Sequence, residues 1–225
     1  MVYRWLPGND VWAAGVADSA DFAHDLASFV VALRSMDTEG QGLHGSGRGG
    51  LLTSQDDYVA TGLGRSHGLI DVDALTGLWS RLRQTPRFEA PDVWTHGDLM
   101  PGNLLTSDVR LCAVIDVGGL STADPALDLM PAWNLMGPGV RQGYRVALDV
   151  DEPERDRGKG WAFAQAIGCL PYYRVTNPVM SDIARRTLLA LLTDAGSRTV
   201  PSSGWAWSGR QPPPPPTTTN AASGP

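Results

Sequence analysis

The sequence has 225 residues, 42% of them hydrophobic and 19% charged, with a formal net charge of -6. That composition suits one globular core, and the acidic balance leaves no electrostatic footprint for a nucleic-acid backbone, so no nucleic-acid partner is expected. Only Cys112 and Cys169 are present, the first residues form no apolar leader, and no run approaches the ~18 apolar residues of a bilayer span; the expectation is a cytoplasmic protein with neither a disulfide framework nor a membrane partner.

In chain order, residues 2 to 6 alternate apolar and polar and stop at Pro7-Gly8, which predicts a short strand entering a turn. Phe22, Leu26, Phe29, Val30 and Leu33 recur at helical spacing behind Asp18 or Ser19 as N-cap, predicting a helix over residues 19 to 36. Residues 40 to 50 hold six glycines and read as a loop, followed by turn-like or short helical structure to about Gly68. Val72, Leu75, Leu78, Trp79 and Leu82 predict a second helix over residues 71 to 83. The apolar runs Leu104-Leu105 and Leu111 to Ile115 flank the polar Ser107-Asp108, which suits a hairpin with Asp116 at its end. Helical stretches follow near 126 to 136, 140 to 148, 154 to 169 and 178 to 195, with Pro131 expected to delay or kink the first. From residue 196 the chain turns to Ser, Gly, Pro and Thr, with five prolines at 212 to 216, and an extended or disordered tail is expected.

One segment carries chemistry. Phosphoryl transfer needs a carboxylate that orients the attacking hydroxyl and accepts its proton, together with oxygen ligands for Mg²⁺ on the triphosphate. His96-Gly97-Asp98-Leu99-Met100-Pro101-Gly102-Asn103 sets Asp98 and Asn103 five residues apart, the spacing of Asp and Asn in a kinase catalytic loop. Asp116 follows beyond the hairpin, where a kinase places its metal-binding Asp.

These residues, with Val114-Ile115-Asp116 and Asp124-Pro125-Ala126-Leu127-Asp128-Leu129, resemble the aminoglycoside phosphotransferase family of kinase-like enzymes. The similarity is densest over residues 93 to 137. The resemblance implies an α+β fold, mainly α with a small β-hairpin, corresponding to the large C-terminal lobe of a protein-kinase-like fold over residues 11 to 195. It implies transfer of the γ-phosphate of ATP (or GTP) to a hydroxyl of an aminoglycoside or similar small molecule, with Mg²⁺ as cofactor. By position, Asp98 is then the catalytic base, and Asn103 and Asp116 the metal ligands. His96 braces the loop, a hydrogen-bonded structural histidine, and Asp124 and Asp128 are architectural, Asp124 having the form of an N-cap before Pro125 at N1. Tyr3-Arg4-Trp5-Leu6 is similar to the family's hinge, which makes Tyr3, Arg4 and Trp5 nucleotide-contacting residues and residues 1 to 10 a hinge remnant. Val117 stands where the family usually has Phe.

A complete enzyme of this kind also needs a Gly-rich loop and a strand lysine over the phosphates. No lysine precedes Asp98, and the single lysine, Lys159, reads as a solvated helix-face residue. Gly45-Ser46-Gly47-Arg48-Gly49-Gly50 satisfies Gly-x-Gly-x-x-Gly but lacks the flanking strands, so it reads as a plain loop. The expectation is a chain without its N-terminal lobe and with little activity alone, the alternative being a truncated remnant or pseudoenzyme that binds nucleotide or substrate weakly. The acidic run from Asp149 to Asp156 reads as a solvated helix start rather than a polycation site. A metal hydrolase built on His96, Asp98 and Asp116 is the weakest alternative, because the other histidines lie in unrelated contexts.

Overall fold

A computed structural model describes residues 6–43, 47–87 and 91–196. The N-terminal strand, Tyr3, Arg4, Trp5 and the Pro-rich tail therefore lie outside the described residues. β1 (Asn9–Asp10) leads into a single helical turn, α1 (Val11–Ala14), whose N-cap Asp10 accepts the backbone N–H groups of Trp12 and Ala13. Leu6 is exposed but Val11 is buried, and Trp12 is covered by the Arg186 guanidinium 4.7 Å from its ring.

α2 (Ala20–Arg34) starts where Ser19 accepts the N–H of Phe22, and Phe22, Leu26, Val30 and Leu33 form its buried stripe. α3 (Asp56–Arg65) is a ten-residue helix in the stretch expected to hold only turn-like or short helical structure. Its inner face is Val59, Gly62 and Leu63, so a glycine holds a core position and interrupts the apolar period. α4 (Val72–Leu82) is capped by Asp71 and buries Leu75, Leu78, Trp79 and Leu82.

Two small antiparallel sheets carry the central segment. β2 (Val93–Thr95) pairs with β5 (Ser121–Ala123), and β3 (Leu104–Ser107) lies between β1 and β4 (Arg110–Val114). The expected hairpin is thus the core of a three-stranded sheet. Asp124 caps a tight 3-10 turn, Pro125–Leu129, and α5 (Pro131–Asn134) begins at the next proline. A residue without an N–H cannot continue the earlier turn but suits the first turn of a new one, so the stretch expected at 126 to 136 is divided in two.

α6 (Pro138–Ala147), α7 (Glu152–Tyr172) and α8 (Pro178–Gly196) complete the described chain. α7 is the central helix, packed against α3, α4, α5 and α8 and against the 125–129 turn. It is buried on almost every side from Arg157 to Ala164, and Lys159, expected to be solvated, is only 6% exposed. Its ammonium group lies 3.0 Å from Asp156 and 3.2 Å from Asp194, whose carboxylate also receives Arg155 and Arg141; burying a lysine requires such pairing.

Arg157, two residues earlier, donates to both Asp124 oxygens (2.6 and 3.2 Å) and to the Pro86 carbonyl, with both side chains almost fully buried. Removing one member of such a pair strands the other's charge. Arg157→Met is expected to destabilise the fold by about 3–5 kcal/mol, read as a shift in the urea denaturation midpoint. No described helix is long and apolar enough to cross a membrane.

Candidate active site

The segment from His96 to Asn103 connects β2 to β3 and is fixed from below by Asp128. This side chain is fully buried and accepts the N–H of His96 through one oxygen and that of Gly97 through the other, both at 2.9 Å. Gly97 has φ +75°, a conformation that L side chains rarely adopt, so a glycine is required where the chain turns to present Asp98. Burial pushes the Asp128 carboxyl above its ordinary value despite these two amide donors.

His96 is buried with both ring nitrogens engaged. Nε2 lies 3.0 Å from the Ile115 carbonyl, and Nδ1 accepts the Asp98 N–H at 3.3 Å. A carbonyl only accepts, so the ring carries its proton on Nε2 and uses the Nδ1 lone pair for the loop. A ring bonded on both sides has no lone pair left for a metal. Among the described residues no three His, Cys, Asp or Glu side chains gather into a metal-holding group.

The Asp98 side chain is 41% exposed and is held from three directions. Asn103 Nδ2 donates to its Oδ2 at 3.1 Å and to its backbone carbonyl at 2.8 Å. Gln165 Nε2 donates to Oδ1 at 2.8 Å, and Arg48 Nη1 lies 3.5 Å from the same oxygen. Since Asn103 spends its amide nitrogen on Asp98, its Oδ1 remains for another partner.

Asp116 is brought to the same place by backbone bonds. Ile115 donates its N–H to the Asn103 carbonyl at 2.9 Å while its own carbonyl meets His96, and Leu104 pairs with Val114 in the sheet. Asp116 itself adopts a left-handed conformation, φ 60° and ψ 47°, in which aspartate is one of the better-tolerated residues, and its exposed carboxylate has no protein partner among the described residues. Val117, also exposed, follows it. The donor set facing this region is thus carboxylate and amide oxygen, hard ligands of the kind Mg²⁺ takes.

The chain matches the phosphotransferase enzyme family (APH) over residues 1–161. It belongs to that family. Within the phosphotransferase family, aminoglycoside 3'-phosphotransferases of Escherichia coli and Salmonella typhimurium are each 29% identical over 83 residues, 36% of this chain. The chain spans about a third, 31%, of the length of these curated relatives. Among solved phosphotransferases, the macrolide 2'-phosphotransferase MphH from Brachybacterium faecium superposes with a TM-score of 0.55 at 22% identity, covering 83% of this chain and 68% of that one. The GDP complex of aminoglycoside 2'-phosphotransferase-IIIa gives 0.56 at 16% identity, covering 86% and 70%. At these identities the likeness establishes the kinase-like fold.

The structure places Asp98 and Asn103 in contact, joins Asn103 to the strand that carries Asp116, and sets His96 and Asp128 beneath them, whereas Asp124 is turned away toward Arg157. Three contributors were not among the residues singled out in the sequence. Arg48 sits between glycines in a loop tied to the site by the Asp124 N–H, which donates to the Gly49 carbonyl at 3.1 Å. Gln165 is the lone polar side chain in the run from Trp161 to Ile167, a signal that marked it for a polar partner. Asn134, buried in α5, donates to the Leu99 carbonyl at 3.2 Å and steadies the segment from behind.

Proposed function

We propose that this chain is the acceptor- and metal-handling lobe of a kinase-like phosphotransferase, transferring the γ-phosphate of ATP or GTP to a hydroxyl of an aminoglycoside or similar small molecule. The observation that carries the reading is the Asp98 carboxylate, presented by a strained glycine turn and oriented by Asn103 and Gln165, beside unengaged oxygen donors on Asn103 and Asp116. Asp98 accepts the proton of the acceptor hydroxyl as the acceptor oxygen forms its bond to the γ-phosphorus; the bond from phosphorus to the β–γ bridging oxygen breaks, and the nucleoside diphosphate leaves. Asn103 and Asp116 are the residues that would hold Mg²⁺, which when bound neutralises charge on the triphosphate. A solved relative holds both GDP and kanamycin, in keeping with a nucleotide and a hydroxylated acceptor.

The test is nucleotide-diphosphate release measured with ATP and with GTP against a panel of hydroxylated acceptors. Acceptor-dependent release is expected to vanish with EDTA and return with excess Mg²⁺. Asp116→Asn is expected to raise the Mg²⁺ concentration at half-maximal rate by ~10-fold or more. Release that ignores EDTA or survives loss of Asp98 overturns the reading.

A second reading is favoured by one observation. The single lysine of the chain is locked against Asp156 and Asp194, so none of its lysines reaches a triphosphate, and on its own the chain would bind without turnover. Nucleotide binding by calorimetry without release in the same assay assigns this second function.

A further inference from the structure

A cleft of about 390 Å³ lies between α3 and the C-terminal half of α7, beginning one helical turn beyond the Gln165 that holds Asp98, and falls within the size range of small-molecule sites. Its α3 wall is one helical face, Tyr58, Thr61 and Arg65, and its α7 wall is Cys169, Tyr172 and Tyr173. The helices come close because two residues lack side chains: a Cβ at Gly62 would stand 2.9 Å from the Ile167 carbonyl, and one at Gly168 would collide with the Tyr58 hydroxyl. Gln165, which holds Asp98, is one turn before Cys169 on the same helix. The Cys169 thiol, pushed up chiefly by burial, is pushed further by the Asp98 charge, with Arg48 opposing, which agrees with that proximity.

Among the described residues, the formal charge that lines this cleft is positive. Arg65 lines it, Arg48 stands at Asp98, and no carboxylate is among its lining residues. Tyr172 and Tyr173 meet edge to face with ring centroids 4.8 Å apart, and Tyr58 and Tyr172 are both more than half exposed, an aromatic surface left open among the described residues. The acidic run that would suit a polycation is elsewhere. Glu152 is paired with Arg145 and Arg155, Glu154 with Arg34 and Asp156 with Lys159, and Glu152 precedes Gln165 by thirteen residues, about 20 Å along α7.

We infer that the acceptor of this site is a hydroxylated aromatic compound, neutral or anionic, whose ring lies against the α3–α7 tyrosines with an anionic or hydrogen-bond-accepting group at Arg65. The inference rests on the proposed phosphotransfer at Asp98 and narrows its acceptor away from polycationic aminosugars. Stacking on tyrosine supplies affinity, and two arginines at the site disfavour a ligand carrying several ammonium groups.

The experiment is equilibrium binding of 7-hydroxycoumarin and of kanamycin to the full chain at low salt, by ligand-observed NMR, without nucleotide. Hydroxycoumarin is expected to bind at least ~10-fold more tightly than kanamycin. Tyr58→Ala and Arg65→Glu should each weaken hydroxycoumarin several-fold, and Arg65→Glu should also strengthen kanamycin. Arg65 is exposed at the end of α3, so its replacement leaves the core intact. Equal or tighter binding of kanamycin, no binding of hydroxycoumarin, or binding indifferent to both substitutions overturns the inference. Because binding is read without turnover, the expected ranking with no phosphorylated acceptor would sink the proposed reaction and leave the cleft assignment standing.

Discussion

Asp98→Asn is expected to lower the rate of phosphoryl transfer by about 10²- to 10⁴-fold while leaving the urea midpoint close to that of the unsubstituted chain. The amide keeps the volume of the carboxylate and its oxygen still accepts from one of the two donors, Gln165 or Asn103, while its NH2 meets the other, so one of these two hydrogen bonds is lost at a partly exposed place. It also loses the ability to take a proton. The side chain is partly exposed and its backbone N–H stays bonded to His96, which is why stability should not follow activity down. The comparison that decides is kcat against acceptor affinity. A variant that binds acceptor normally but does not turn over assigns Asp98 to the chemical step, whereas a variant that loses binding alone shows Asp98 to be a positioning group.

Asp128→Ala is expected to cost about 2–6 kcal/mol of stability and most of the transfer activity together. It leaves the His96 and Gly97 N–H groups without acceptors in a buried place, at roughly 1–3 kcal/mol each. It also releases the left-handed turn at Gly97 that aims Asp98. The effect should be visible both in denaturant unfolding and as lost turnover at temperatures where the variant is still folded.

Asp128→Asn also takes away one acceptor, since its NH2 meets one of the two N–H groups, but that cost does not vary with pH, so the charge is read from the pH dependence. Burial holds the Asp128 carboxyl above its ordinary value, so the folded chain binds this proton more tightly than the unfolded one. Its favourable contribution is then complete below the ordinary carboxylate range and declines as pH rises through the raised folded value. Relative to Asp128→Asn, which does not titrate, the unsubstituted chain should lose stability as pH rises above the ordinary carboxylate range; a difference that grows with pH contradicts the assignment.

The catalytic segment was readable because its parts are close in sequence: five residues separate Asp98 from Asn103, and a short hairpin carries the chain to Asp116. The capping roles were readable for the same reason. Asp124 before Pro125 satisfies a local N–H, as its spacing suggested. What spacing does not contain is a partner from a distant element. Gln165 and Arg48 reach Asp98 across 67 and 50 residues, and Arg157 finds Asp124 across 33.

Two helices have inner faces that their sequence pattern does not announce, for opposite reasons. In α3 the glycine at position 62 packs against α7, so the inner face does not announce itself by hydrophobicity. In α7 the helix is surrounded, so charged residues at 157 and 159 lie inside with their counter-ions, where periodicity would place a solvated face. The sequence pattern reports which residues are apolar. It does not report which helix ends in the middle of the fold.

That buried position of Lys159 has a practical consequence at the bench. With no other lysine in the chain, an N-hydroxysuccinimide ester meets no accessible side-chain amine while α7 and α8 stay together. Acylation of Lys159, followed by mass spectrometry, therefore becomes a clock for the opening of that helix pair, and a ligand that tightens the fold should slow it.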